Sequence, residues 1–184
     1  MNREEAVRLL KSYVKSEKMI IHSLCSEAVL RAIAKETGKD IEKFGLAGLL
    51  HDIDVEITHA DPKLHGLKSV EILEAHGLDP DIIDAIAMHN EEATGKERES
   101  FFQHALAAGE TITGLIYATA LVYPEKKIEP VKYKSVKKRM TEKAFAASVK
   151  RENILECEKI GIPLDDFIRI SVDAMKGISD EIGL

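Results

Sequence analysis

The sequence predicts an all-α fold. Three observations carry that prediction: apolar residues recur at helical spacing through most of the 184 residues, no segment alternates as a strand does, and Gly, Pro and Asp fall where helices start and stop. Hydrophobic residues make up 45% of the chain and charged residues 32%, a balance that supports a packed core and argues against disorder. With aromatics at 5% and no Trp, that core is expected to be built of Leu, Ile, Ala and Val.

Residues 3–16 place Ala6, Leu9, Leu10 and Tyr13 on one helical face. A second helix is expected from about Met19 to Glu36, stopping at Thr37-Gly38, where Gly38 suits a C-terminal cap. A third covers 40–51, with Asp40 as N-cap. Its run from Phe44 to Leu50 is apolar on nearly all faces, which marks a central, buried helix. The polar stretch 54–62 ends at Pro62, which no continuous helix tolerates. Helices are expected again over Leu64–His76, closed by Gly77, and over Pro80–Glu92, with Asp79 capping and Pro80 in the first turn. After the loop Thr94-Gly95-Lys96, a long helix spans Ser100–Val122 and is closed by Pro124. A basic segment follows as loop and short helix, and two final helices, 142–160 and 164–182, flank Gly161-Ile162-Pro163. The length suits a single domain over residues 1–184.

Net charge is −6, yet the stretch from Lys126 to Arg151 holds ten basic residues against Glu129 and Glu142, a local charge of +8. It reads either as a solvated face or as a rim that attracts an anionic ligand. In the second reading Lys134, Lys137, Lys138 and Arg151 are the residues expected to hold substrate phosphate. Nucleic acid is disfavoured as a partner, because the charges are not interleaved with aromatics and the whole chain is acidic. No apolar run approaches the roughly 20 residues that span a bilayer, so no membrane partner is expected. The amphipathic N-terminus lacks an apolar signal region, and the expectation is a cytoplasmic protein. Cys25 and Cys157 are too few for a disulfide framework or a Cys-rich metal site, so any metal is held by imidazole and carboxylate. The amphipathic terminal helices are compatible with a homodimer.

The most informative dipeptide is His51-Asp52, at the end of the most apolar helix. Burying both side chains there is costly unless each is paired, either with the other or with a divalent cation. His22, His65, His89 and Glu110 follow on other helices. Singly each reads as an ordinary polar residue. As a set they offer imidazole and carboxylate around one helix end, as a metal site in a helical bundle requires.

The order His22, His51-Asp52, His65-Gly66, His89-Asn90, Glu110 resembles the HD superfamily of metal-dependent phosphohydrolases, as do Leu46-Ala47-Gly48-Leu49-Leu50 and Thr113-Gly114-Leu115-Ile116. The resemblance covers residues 18–122 as an HD-domain helical bundle, with the C-terminal helices added to it. It implies a first metal site at His22, His51, Asp52 and Glu110, and a second at His65 and His89 bridged by Asp52. Asp52 and His51 would be catalytic. The mixed donor set suits iron, manganese or zinc, one or two per chain. The implied function is hydrolysis of a small phosphorylated substrate, a phosphomonoester or a nucleotide. The alternative is a non-catalytic HD module that binds metal or nucleotide for regulation. Two features differ from the common family pattern: Glu110 stands where Asp is usual, and no Lys follows the HD pair. Asp54 and His59 are the nearby polar residues left to contact substrate.

Overall fold

The computed structural model describes every residue from Met1 to Leu184. It is all-helical: α1 (Arg3–Tyr13), α2 (Glu17–Thr37), α3 (Ile41–Leu50), α4 (Leu67–Ala75), α5 (Pro80–Met88), α6 (Glu91–Thr94), α7 (Phe101–Leu121), α8 (Tyr133–Thr141), α9 (Arg151–Leu155), a 3₁₀ segment (Glu156–Ile160), α10 (Leu164–Lys176) and α11 (Ser179–Ile182).

The starts of these helices follow from their caps. Asp40 accepts from the Lys43 N–H at α3, Asp79 from the Asp81 N–H at α5, and Ser100 forms a reciprocal capping box with Gln103 at α7. At α3 every residue from Phe44 to Leu50 is buried, and Leu49 and Leu50 are fully so, each contributing roughly 1.5–3 kcal/mol of apolar burial. α3 packs chiefly on α2, α2 also packs on α7, and α5 closes against both α3 and α7. α10 covers α2 and α7 from the C-terminal side. One cluster of buried apolar side chains runs from Ala6 to Ile182 through these contacts.

The α2–α3 contact is close because Gly48 has no side chain. A Cβ there would lie 2.6 Å from the Ser26 carbonyl oxygen, a distance only backbone movement could relieve. The approach brings His22, one turn before Ser26, against His51 at the end of α3. Both cysteines are free and buried, and no helix is long and apolar enough to cross a membrane.

Several boundaries differ from expectation. The Pro80–Glu92 helix is interrupted at His89-Asn90, where Asn90 takes an extended backbone and its amide donates to the Pro62 and His65 carbonyls at 2.8 and 2.9 Å. The expected 142–160 helix is absent over 142–150, which is coiled around Arg151. The Arg151 guanidinium donates to the carbonyls of Ala146 and Val149, each at 2.7 Å, and to that of Phe145. The last expected helix breaks after Lys176, at Gly177-Ile178.

Candidate metal centre

Six side chains from five parts of the fold meet at the end of α3. α2 supplies His22, the turn after α3 supplies His51 and Asp52, the residue preceding the α4 N-cap is His65, His89 caps the end of α5, and α7 supplies Glu110. Their distances are short. The Nε2 atoms of His22 and His51 lie 3.1 Å apart, and those of His65 and His89 3.0 Å apart. The Asp52 carboxylate lies between the pairs, with Oδ1 at 3.4, 3.0 and 3.6 Å from Nε2 of His51, His65 and His89, and Oδ2 at 3.6 Å from that of His22. Glu110 Oε2 is 3.8 Å from His22 Nε2.

The tautomers are fixed by what each Nδ1 touches. His51 Nδ1 faces the Gly48 carbonyl at 2.8 Å and His89 Nδ1 faces the Ile86 carbonyl; a carbonyl only accepts, so both Nδ1 atoms carry the proton. His65 Nδ1 donates to Asp54 Oδ1 at 2.8 Å. His22 Nδ1 donates to the Thr113 hydroxyl at 3.0 Å, since that hydroxyl gives its own proton to the Glu110 carbonyl at 2.6 Å. Four Nε2 atoms therefore converge on one carboxylate. Lone pairs at such distances repel unless a proton or a cation lies between them.

The electrostatics have the same origin. Burial holds the His51 imidazolium down, to about 3, so this ring is neutral. Burial by itself raises Asp52, but its imidazole neighbours, His51 first and then His65 and His89 by hydrogen bonding, hold it well below the usual carboxylate range. Burial lowers His65 less than Asp52 and Asp54 raise it, and the ring is pushed up to about 10. Burial raises the Glu110 carboxyl. Two triads, His22–His51–Asp52 and Asp52–His65–His89, bring their donor atoms within 4.8 Å of one another and share Asp52. Borderline nitrogen donors with carboxylate oxygens fit a divalent transition metal, and hard, all-oxygen cations less well.

Of the sequence-selected residues, His22, His51, Asp52, His65, His89 and Glu110 are brought together. The others are not. Asp54 is fully buried, and its Oδ2 accepts from the Gly66 and Ser69 N–H groups at 2.8 and 3.0 Å, so it starts α4 and orients His65 instead of meeting substrate. His59 is exposed and outside the cavity. Lys137 pairs with Asp165 at 2.6 Å, Lys138 approaches Glu142 at 3.7 Å, Lys134 is exposed elsewhere, and Arg151 is spent on backbone carbonyls. The basic residue that does line the polar cavity, of about 300 Å³, is Lys150.

Sequence reasoning gave no role to Asn90, which it saw only beside His89, and missed Thr111 and Asn153; all three line the same cavity. The Thr111 hydroxyl donates to Glu110 Oε1 and accepts from Asn153 Nδ2 at 3.4 Å, and Asn153 Oδ1 accepts from Arg98 at 3.1 Å. The signal available for Thr111 and Thr113 was their position beside Glu110 on an otherwise apolar helix. For Asn153 there was none.

The HD domain family profile matches residues 19–140. Among curated proteins, Ribonuclease Y of Nitratidesulfovibrio vulgaris is 40% identical over 81 residues, covering 44% of this chain and 16% of the relative. Ribonuclease Y of Mycoplasma mycoides subsp. mycoides SC is 35% identical over 97 residues, 53% of this chain and 18% of the relative. Ribonuclease Y of Oleidesulfovibrio alaskensis is 32% identical over 81 residues, 44% of this chain and 16% of the relative. The chain thus spans less than a fifth of the length of these relatives. No solved structure matches it.

Proposed function

Since this chain belongs to the HD domain family, we propose that it works as a metal-dependent phosphohydrolase on a phosphomonoester or nucleotide. The observation that carries the reading is the set of four imidazoles, each with Nδ1 protonated and turned outward, whose Nε2 atoms converge on Asp52. His22, His51, Asp52 and Glu110 would hold one cation, and Asp52, His65 and His89 a second. Iron, manganese and zinc all suit these donors. Bound there, the metal supplies Lewis acidity, bringing water close to ionisation at neutral pH and offsetting charge on phosphate oxygens.

The chain's own residues do the rest. Asp52, held ionised between both triads, fixes their spacing and is the residue on which both depend. Lys150 is exposed on the cavity wall, forms no ion pair, and is placed to take a phosphate oxygen. In the reaction the oxygen of water bonds to phosphorus and the ester P–O bond breaks. A proton passes to the leaving oxygen, giving an alcohol and inorganic phosphate.

The relatives' name favours a second reading, cleavage of a phosphodiester in RNA by the same residues. One experiment separates these. Metal-stripped protein is reconstituted with iron(II), manganese(II) or zinc(II), its metal content measured, and hydrolysis followed on phosphomonoesters, nucleotides and an RNA oligonucleotide. Metal-dependent release of inorganic phosphate, lost in a His51→Ala/Asp52→Ala variant that keeps its helical content, is the expected result. Cleavage of the oligonucleotide alone supports the second reading. Bound metal with no hydrolysis of any substrate supports the regulatory module, and absence of metal uptake overturns the centre itself.

A further inference from the structure

A second cavity, of about 390 Å³, opens beside the metal centre. It shares His22, Gly114, Ser148 and Val149 with the polar cavity, so the two adjoin along these residues. Their linings differ in kind. The polar cavity has one hydrophobic residue in its wall, whereas the second is walled chiefly by Met19, Ile21, Tyr117, Ala118, Leu121 and Ala146 and contains no carboxylate. Its polar side chains include the exposed Lys18 and Ser148, as well as His22 and Thr113, the last already committed to His22 and the Glu110 carbonyl. Cys25 is a buried, free thiol.

Where the cavities adjoin, Gly114 leaves space that a side chain would fill. Gly114 stands across from Val149, and a Cβ at Gly114 would come within 3.3 Å of Val149 Cγ2. Anything larger than a methyl group there would fill the space between the two cavities. Leu121, 42% exposed, extends the apolar wall to the surface.

We propose that this cavity is the subsite for the organic part of the substrate, and that the substrate is a phosphomonoester with a carbon-rich, apolar leaving group. The proposal rests on the reading of the centre as one that receives a phosphate ester. With the phosphate among His22, Glu110 and Lys150, the ester oxygen faces Gly114 and the group beyond it enters the apolar chamber. An apolar body there removes its own surface and that of the walls from water, which favours binding. A small polar alcohol leaves those walls wet and gains nothing from them.

The test uses alkylphosphonates, which cannot be hydrolysed. Methylphosphonate and hexylphosphonate are titrated calorimetrically into the manganese-loaded full chain, and into Gly114→Leu and Ala118→Trp variants whose metal content is measured alongside. Hexylphosphonate is expected to bind wild type about tenfold more tightly or better, given the free energy of burying each added methylene. Both variants are expected to lower that ratio to about threefold or less, since each fills part of the space the chain would occupy. Equal affinities for the two ligands in wild type, or a ratio unchanged in both variants, overturns the subsite. The hydrolase reading is judged separately. A hexyl preference in binding with no turnover of hexyl phosphate upholds the subsite and overturns the hydrolase, while equal kcat/KM for methyl and hexyl phosphates does the reverse.

Discussion

Asp54 and His65 are joined by a 2.8 Å hydrogen bond from imidazole Nδ1 to carboxylate Oδ1, and Asp54 has no exposed surface. Its other oxygen accepts the Gly66 and Ser69 N–H groups, so one buried carboxylate both starts α4 and turns His65 Nε2 toward Asp52. Gly66 takes part because its φ of +91° is one that L side chains rarely adopt, and this backbone lets its N–H meet Asp54.

An Asp54→Asn substitution removes the charge that favours the Nδ1–H tautomer while keeping the shape of the side chain. Metal affinity on the His65–His89 side is expected to fall about 10–100-fold, the usual cost of losing an outer partner of a ligating histidine. Titration should then show one tight and one weakened equivalent. Two equivalents of unchanged affinity would argue that His65 is not a ligand.

Gly48→Ala tests the α2–α3 approach. The added methyl would lie 2.6 Å from the Ser26 carbonyl oxygen and 2.9 Å from the Glu27 nitrogen, both backbone atoms that cannot rotate away. Urea unfolding is expected to show a loss of about 1–3 kcal/mol, typical of overpacking. Since the same approach brings His22 to His51, metal affinity should fall as well.

These cases mark how far the sequence carries. α3 was legible because its information is local: Asp40 caps it, and the run to Leu50 can only be buried. The six converging side chains were legible by type and order. Asp54 was not, because its partners are 11, 12 and 15 residues away and only the folded turn brings them to it. The coil over 142–150 differs: its partners are local, but helical composition is overridden by the Arg151 guanidinium gathering the carbonyls of Phe145, Ala146 and Val149, which no residue pattern marks. That coil also separates neighbours, turning Arg151 inward to those carbonyls while Lys150 reaches the cavity. A count of positive charge over the segment could not tell the two apart.

Acid sensitivity should trace in part to Glu156. It accepts from Arg98 at 2.9 Å and from His104 at 2.8 Å, and Arg98 also caps the end of α5 through the Met88 and His89 carbonyls. Burial alone raises the Glu156 carboxyl, but the hydrogen bonds from Arg98 and His104 outweigh it and hold the group below 4.5. The folded state therefore binds this proton less readily than the unfolded chain. The stabilisation is fully present above about pH 4.5 and is lost as pH falls below it. Glu156→Gln is expected to cost about 3 kcal/mol at pH 7, because Arg98 is left buried without this partner. The gap between variant and wild type should narrow in unfolding measurements below pH 4.5. A gap that stays constant would remove Glu156 from the acid response.

Thr111 holds one oxygen of Glu110 and leaves the other facing His22. Thr111→Val keeps the shape and deletes the donor, freeing the carboxylate to rotate. Metal affinity on the His22 side is expected to fall about tenfold, and Thr111→Ser should restore most of it. Equal affinities in all three proteins would show that the hydroxyl does not position Glu110.

Lys150 gives the final prediction. It is the one Lys or Arg lining the polar cavity, whereas Lys137 and Lys138 are engaged with Asp165 and Glu142. A phosphate contact made equally in the ground and transition states affects KM and leaves kcat almost unchanged. Lys150→Gln is therefore expected to raise KM about two- to fivefold at low salt, the range of one partly exposed ion pair. Salt should raise the wild-type KM more than that of the variant, since exposed charges are screened over about 10 Å at 0.1 M. Lys137→Gln and Lys138→Gln should behave as wild type, because neither residue reaches the cavity. Steady-state kinetics of the four proteins at two ionic strengths decide the matter. An unchanged KM in Lys150→Gln would leave the basic segment a solvated face, and an effect shared by all three variants would make it a diffuse field acting at a distance.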